Sequence, residues 1–181
     1  MKPTLNRPKP LSLLLSGALM MTAPLALSGC GTRPESVSEP PLSETLKQRI
    51  SKARNAIEET RRAIARSRGT PYVMELRVRL GELLSDEARA HYQVARAREG
   101  VSDRTLHAPQ VKTLKLKAVE VYKRAIRDFP ASPLVPRAMF NLGQELRELG
   151  ELDEMRATFR RLAELAPNDP LTSEALLVLG S

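Results

Sequence analysis

The feature that most constrains this chain is an internal repeat. Shifted by 37 residues against itself, the sequence sets Ala118 on Met155, Tyr122 on Phe159, Ala125 on Leu162 and Pro130 on Pro167. Farther on, Pro133 falls on Pro170, Ala138 on Ala175, Leu142 on Leu179 and Gly143 on Gly180. A looser match at a shift of 62 sets Pro71 on Pro133, Leu80-Gly81 on Leu142-Gly143, Ala56 on Ala118 and Ala63 on Ala125. The longer shift leaves room for a lengthened helix and a loop before Pro109. Self-similarity of this kind means one supersecondary unit used again, and such a unit buries its apolar face only by stacking on its neighbours.

The repeated unit is helical. Leu46, Ile50, Ala53, Ile57 and Ile64 recur at helical spacing, with Thr60 as a polar gap and charged residues between them. The same period predicts helices over 44–68, 72–98, 110–129, 133–149, 152–166 and 171–180. Gly69, Pro130, Gly150 and Pro167 stop them. Thr70-Pro71, Ser132-Pro133 and Asp169-Pro170 each read as a capping residue followed by Pro at the first helical position, and Ser43 also reads as a cap. Aromatic residues are 3% of the chain and Trp is absent, so there is little from which to build strands. The expected fold class is all-α. The near-heptad spacing of 44–68 leaves open a coiled-coil arm through which the protein would self-associate.

Met139, Leu142, Gly143, Leu146, Phe159 and Pro167, with Ala118, Tyr122, Ala125 and Pro130 of the unit before, resemble the tetratricopeptide repeat. The resemblance covers 110–181 well and 44–109 only as a long, degenerate hairpin. It implies stacked helix pairs in which small residues let helices approach and aromatic residues fill the space between. Met155 and Leu162 stand where the family has small residues, so the helix carrying them is expected to pack at a larger distance. The stretch from Tyr122 to Gly143 also looks like the repeats of barrel-assembly lipoproteins, pilotin lipoproteins and coordinators of the Tol–Pal system. In tetratricopeptide proteins the first helix of each pair lines the binding groove. Carried onto this chain, the candidate groove residues are Arg137, Phe140, Gln144 and Arg147, whose cations favour an acidic or extended peptide.

The N-terminus has its own logic. Lys2, Arg7 and Lys9 precede an apolar stretch over 11–27 and then Leu27-Ser28-Gly29-Cys30. This is the layout of a secretory signal, and the last four residues look like the lipobox of bacterial lipoproteins. Residues 1–29 are then a signal peptide and Cys30, the only cysteine, is the lipidated first residue of the mature protein. The alternative is an uncleaved signal anchor, which Gly17 and Pro24 disfavour. By likeness to lipoprotein sorting rules, Gly31 in place of Asp directs the protein to the outer membrane, facing the periplasm. Residues 30–43 contain Pro34, Pro40 and Pro41 and read as a tether, of about 40 Å if extended. Acyl chains on Cys30 would hold the membrane without any transmembrane helix.

Little in the sequence suggests chemistry. The formal charge is +8, with three of the 29 Lys and Arg in the signal segment. His91 and His107 flank a loop, have no partners at metal-ligand spacing and read as surface residues. No glycine-rich phosphate loop is present. Arg61, Arg62, Arg66 and Arg68 suit a helix C-terminus. Lys112, Lys115 and Lys117 lack the interleaved aromatics of a nucleic-acid site, so anionic lipid headgroups are the better partner for any basic patch. The expectation is a non-enzymatic, lipid-anchored scaffold for envelope proteins. It has no catalytic or metal-binding residues, no cofactor, no nucleic acid and no small-molecule substrate.

Overall fold

A computed structural model of the chain describes residues 42–99 and 108–180. Residues 1–29, Cys30, most of the tether and His107 lie outside these described residues. Among the described residues six α-helices follow one another: α1 (Leu42–Arg66), α2 (Tyr72–Glu99), α3 (Pro109–Asp128), α4 (Val135–Leu149), α5 (Leu152–Leu165) and α6 (Pro170–Gly180). No strand occurs among the described residues. Helix α1 begins at Leu42, so Ser43 lies inside it and is not its cap.

Each helix packs on the next, and in addition α2 touches α4 and α4 touches α6. No comparable contact joins α1 to α3 or α3 to α5 among the described residues. The helices therefore form two rows, α2, α4 and α6 in one and α1, α3 and α5 in the other. That alternation is what stacking of a helical hairpin produces. The core runs through all of them, with Met74, Leu84, Tyr122, Met139, Leu146, Phe159 and Leu162 almost fully buried. The apolar stripe of α1 belongs to it: Leu46, Ile50 and Ile57 are buried, and α1 packs along α2. This corrects the idea of a free coiled-coil arm, because the stripe that would pair with a second copy is already covered.

The repeat is visible in the turns. Phe129 and Ala166 each precede a proline, leave the helical region at φ −135° and −138°, and donate N–H to the carbonyl four residues back. The next bonds match at a shift of 37. Ser132 N–H donates to Phe129 O and Val135 N–H to Ser132 O, as Asp169 N–H does to Ala166 O and Thr172 N–H to Asp169 O. At a shift of 62, Thr70 N–H donates to Ser67 O and Val73 N–H to Thr70 O. Side-chain capping holds at one of the three sites, where Asp169 Oδ1 accepts from Leu171 N–H at 2.9 Å at the start of α6. Ser132 Oγ accepts from Leu134 N–H at 3.2 Å, but this bond lies in the turn before α4, which begins only at Val135 with Leu134 at its N-cap and no side-chain cap, so Pro133 is not its first helical residue. Thr70 differs from expectation: its hydroxyl donates to Ser67 O instead of accepting from the helix. Gly150 closes α4 at φ +81°, where Glu151 N–H reaches back to Leu146 O.

Helix pairs meet through an aromatic ring laid on a glycine. A Cβ at Gly81 would fall on the Tyr122 ring, and one at Gly143 would fall on the Phe159 ring. Met155 and Leu162 are both buried, and the Phe159 ring covers Gly143 as the Tyr122 ring covers Gly81. A second tie fixes the other end of the α2–α3 pair. Arg77 of α2 lies 5.4 Å from the centre of the Phe129 ring and pairs with Asp128 at 2.5 Å. Its hydrogen bond, and then its charge, hold the Asp128 carboxyl below the usual carboxylate range.

Gly81→Ala and Gly143→Ala are each expected to destabilise the fold by about 1–3 kcal/mol, since the added methyl must displace a buried ring. Urea unfolding followed by circular dichroism measures it, and an unchanged midpoint for both would contradict the close crossing. A lowered folded-state pKa stabilises above the unfolded pKa, and the gain is lost as pH falls through the folded value. Asp128→Asn should therefore lower stability at neutral pH. The gap to the parent should close as the pH falls below the ordinary carboxylate range.

Candidate functional site

The row of α2, α4 and α6 is interrupted between α2 and α4 by a cleft of about 430 Å³. Glu82, Ser85, Asp86 and Arg89 form its α2 wall, at the three- and four-residue spacing that keeps side chains on one helix face. Arg137, Phe140, Gln144 and Glu148 are on its α4 wall. Tyr122 of α3 lies beneath, and Leu171 of α6 completes the lining.

The walls are tied together by charge. Glu82 Oε1 accepts from Arg137 Nε at 2.8 Å and from Asn141 Nδ2 at 3.3 Å, which links α2 to α4. Behind the α4 wall, Lys115 of α3 reaches both Glu145, at 3.0 Å, and Glu148. Lys115 and Glu145 are 12% and 8% exposed, so this pair is largely removed from water while Glu148 is half exposed. The Tyr122 phenol has Ser85 and Asn141 as hydrogen-bond partners. Burial, and then the nearby Glu82 charge, push its pKa far above the usual phenol range. It is therefore a neutral hydroxyl at any physiological pH. Phe140 stacks on Phe159 with ring centres 5.9 Å apart.

Three of the four residues expected in a groove come together here. Arg137, Phe140 and Gln144 line the cleft, whereas Arg147 is exposed and outside its lining. The reason is helical geometry. Eleven residues make about three turns, so the face that starts at Arg137 returns at Glu148, one residue beyond Arg147. This changes the charge of the site. With Lys115 counted beside Arg89 and Arg137, the four carboxylates Glu82, Asp86, Glu145 and Glu148 still exceed the cations by one, so the cleft lacks the positive balance on which an acidic ligand was expected. The α2 wall was not foreseen, although the 62-residue shift that sets Gly81 on Gly143 also sets Glu82 on Gln144 and Asp86 on Glu148.

His91 also departs from expectation. Its side chain is partly covered, 14% exposed, and Nε2 lies 3.5 Å from Glu87 and 3.3 Å from Arg54. Arg54 Nε holds the same carboxylate at 2.7 Å, so the three form one cluster bridging α1 and α2. No grouping of three or more His, Cys, Asp or Glu fit to hold a metal occurs among the described residues.

Residues 136–169, which span α4, α5 and the turn that follows, match the family model for the tetratricopeptide repeat. No curated protein and no solved structure matches the chain. The repeat and the helical architecture are those of proteins that generally bind protein partners.

Lys115→Met leaves the Glu145 carboxylate buried without its cation and is expected to cost about 3 kcal/mol. Adding Glu145→Met should recover much of that loss. Urea midpoints of the single and double variants test it, and equal losses that simply add would show that the pair is not coupled.

Proposed function

We propose that the protein is a lipid-anchored adaptor of the bacterial cell envelope that holds a segment of a partner polypeptide in the α2–α4 cleft. The observation that carries this reading is the cleft itself. It has polar walls fixed from two helices by the Glu82–Arg137 and Lys115–Glu145 ties, over a buried aromatic floor. Such a surface offers hydrogen bonds to an extended chain at little ordering cost, because its own side chains are already held. Its carboxylate excess selects a neutral or basic segment. Anchorage comes from the sequence. Leu27-Ser28-Gly29-Cys30 supplies the acylated thiol, and residues 31–41 supply reach. Gly31 favours the outer membrane, with the domain in the periplasm. Confinement to that surface raises the effective concentration of the cleft for other envelope proteins.

Two measurements in cells test the two halves separately. Metabolic labelling with palmitate should mark the parent protein and leave Cys30→Ser unlabelled; label that does not depend on Cys30 would remove the anchor. A photo-crosslinking amino acid at Gln144 should trap a partner, and the same group at Arg147 should not. Equal yields from both positions would remove the cleft as the binding site.

A further inference from the structure

Charge is divided unevenly between the two rows of helices. Helices α1, α3 and α5 carry 16 Lys and Arg against eight Asp and Glu. Helices α2, α4 and α6 carry seven against eight. The basic excess of the helices therefore belongs to one row, and the cleft between α2 and α4 opens on the other.

The basic row holds a site that the repeat makes twice. Between α1 and α3 lies a notch of about 250 Å³, walled by Arg61 and Ile64 on one side and Arg124 on the other, over Leu80. A shift of 62, and of 37 for Arg124, carries these four onto Lys123, Ile126, Arg161 and Leu142. Those residues line a notch of about 590 Å³ between α3 and α5. Each notch thus has an apolar lining and a cation on either rim. Arg61 pairs with Glu58, Arg124 with Glu120 and Lys123 with Glu154, all exposed by more than a third. Arg161 has no ion pair among the described residues. Arg77 and Arg127 also line the notches and share Asp128, so six cations meet four carboxylates. Exposed ion pairs contribute little to stability, so the rim cations can exchange their carboxylates for another anion at small cost.

We propose that this row lies against an anionic membrane surface, with lipid phosphates at the two notches and the α2–α4 cleft turned away from the membrane. The distribution of charge favours a surface over a chain. An acidic peptide in a groove is matched by cations along one line, whereas here they recur from α1 across α3 to α5. Basic clusters near a membrane are drawn to anionic headgroups, and the attraction acts within about a Debye length of the surface. The sequence adds continuity, since the tether of residues 30–43 leads into α1 of the same row. The proposal rests on the anchored reading for the presence of a membrane, and it adds which face the membrane meets.

The full chain with Cys30→Ser has neither an acyl chain nor another thiol, so one cysteine at a time can be spin-labelled. Leu116→Cys marks the basic row, because Leu116 is 47% exposed and shares the α3 face of Glu120 and Lys123. Asp86→Cys marks the cleft wall. The vesicles are phosphatidylglycerol and phosphatidylethanolamine, doped with a nickel-chelating lipid whose metal relaxes any label near the headgroups. Relaxation is expected at Leu116→Cys and not at Asp86→Cys. Arg124→Glu together with Arg161→Glu should reduce it about tenfold or more, with thermal unfolding unchanged because both cations are exposed. On phosphatidylcholine vesicles the difference between the two labels should vanish. Residues 1–29 are the same in every variant, so their own attraction to vesicles does not produce these differences. No relaxation at Leu116→Cys, equal relaxation at both labels on the anionic vesicles, or indifference to the double reversal overturns the proposal. Soluble polyglutamate immobilising the Leu116→Cys label while anionic vesicles leave it unrelaxed would give the face to an acidic protein and overturn it as well. Because no acyl chain is present, failure here leaves the palmitate result standing, and failure of palmitate labelling leaves this result standing.

Discussion

The structure rests on one contact made twice, an aromatic ring seated where a glycine has no side chain. Tyr122 lies on Gly81 and Phe159 on Gly143, and each ring is essentially buried. A helix pair can come this close only if one partner lacks a Cβ at the crossing. The ring then fills the space that a more distant crossing would leave as a void, which interiors packed to crystal-like density do not tolerate. Around the crossings Ala118, Ala125 and Ala138 are fully buried, Met155 and Leu162 take beside Phe159 the places that Ala118 and Ala125 take beside Tyr122, and Leu142 and Leu146 close the remaining space.

The cleft follows from the same contact. Because Tyr122 is drawn down onto α2, its ring floors the gap between α2 and α4, and the walls come from whatever those two helices present above it. The walls carry charged residues, and these are paired: Glu82 with Arg137 across the gap, Lys115 with Glu145 behind it. Buried charges are tolerated only when matched in this way. The pairing gives the cleft a fixed shape, and its balance is acidic, although the whole chain is basic, because the two helices present more carboxylates there than cations.

Much of this was legible in the sequence. The helices begin and end within two residues of the positions set by the apolar period and by Gly69, Pro130, Gly150 and Pro167. Glycine and proline act locally, through φ and the missing N–H, so they can be read without the fold. The groove was legible in part. Arg137, Phe140 and Gln144 are placed by their own helix, but stepping onward by three to Arg147 drifts off the face that Glu148 continues. The α2 wall was hidden because it comes from a helix more than 50 residues away. His91 looked superficial because it is a lone polar residue near a loop. Its partial cover comes with contacts to Glu87 and to Arg54 of α1.

What the sequence determined by itself was the unit: six helices, their ends, their apolar faces and the identity of the rings and glycines that would meet. These are short-range properties of spacing, backbone freedom and side-chain size, and neighbours in the chain suffice to set them. What only the tertiary structure decided was the pairing between distant charges and the fate of each outer face. Whether Arg137 is free or bound, and whether α1 is an arm or a cap, both depend on what lies alongside. Electrostatic attraction and burial act through space, between residues that sequence order keeps far apart.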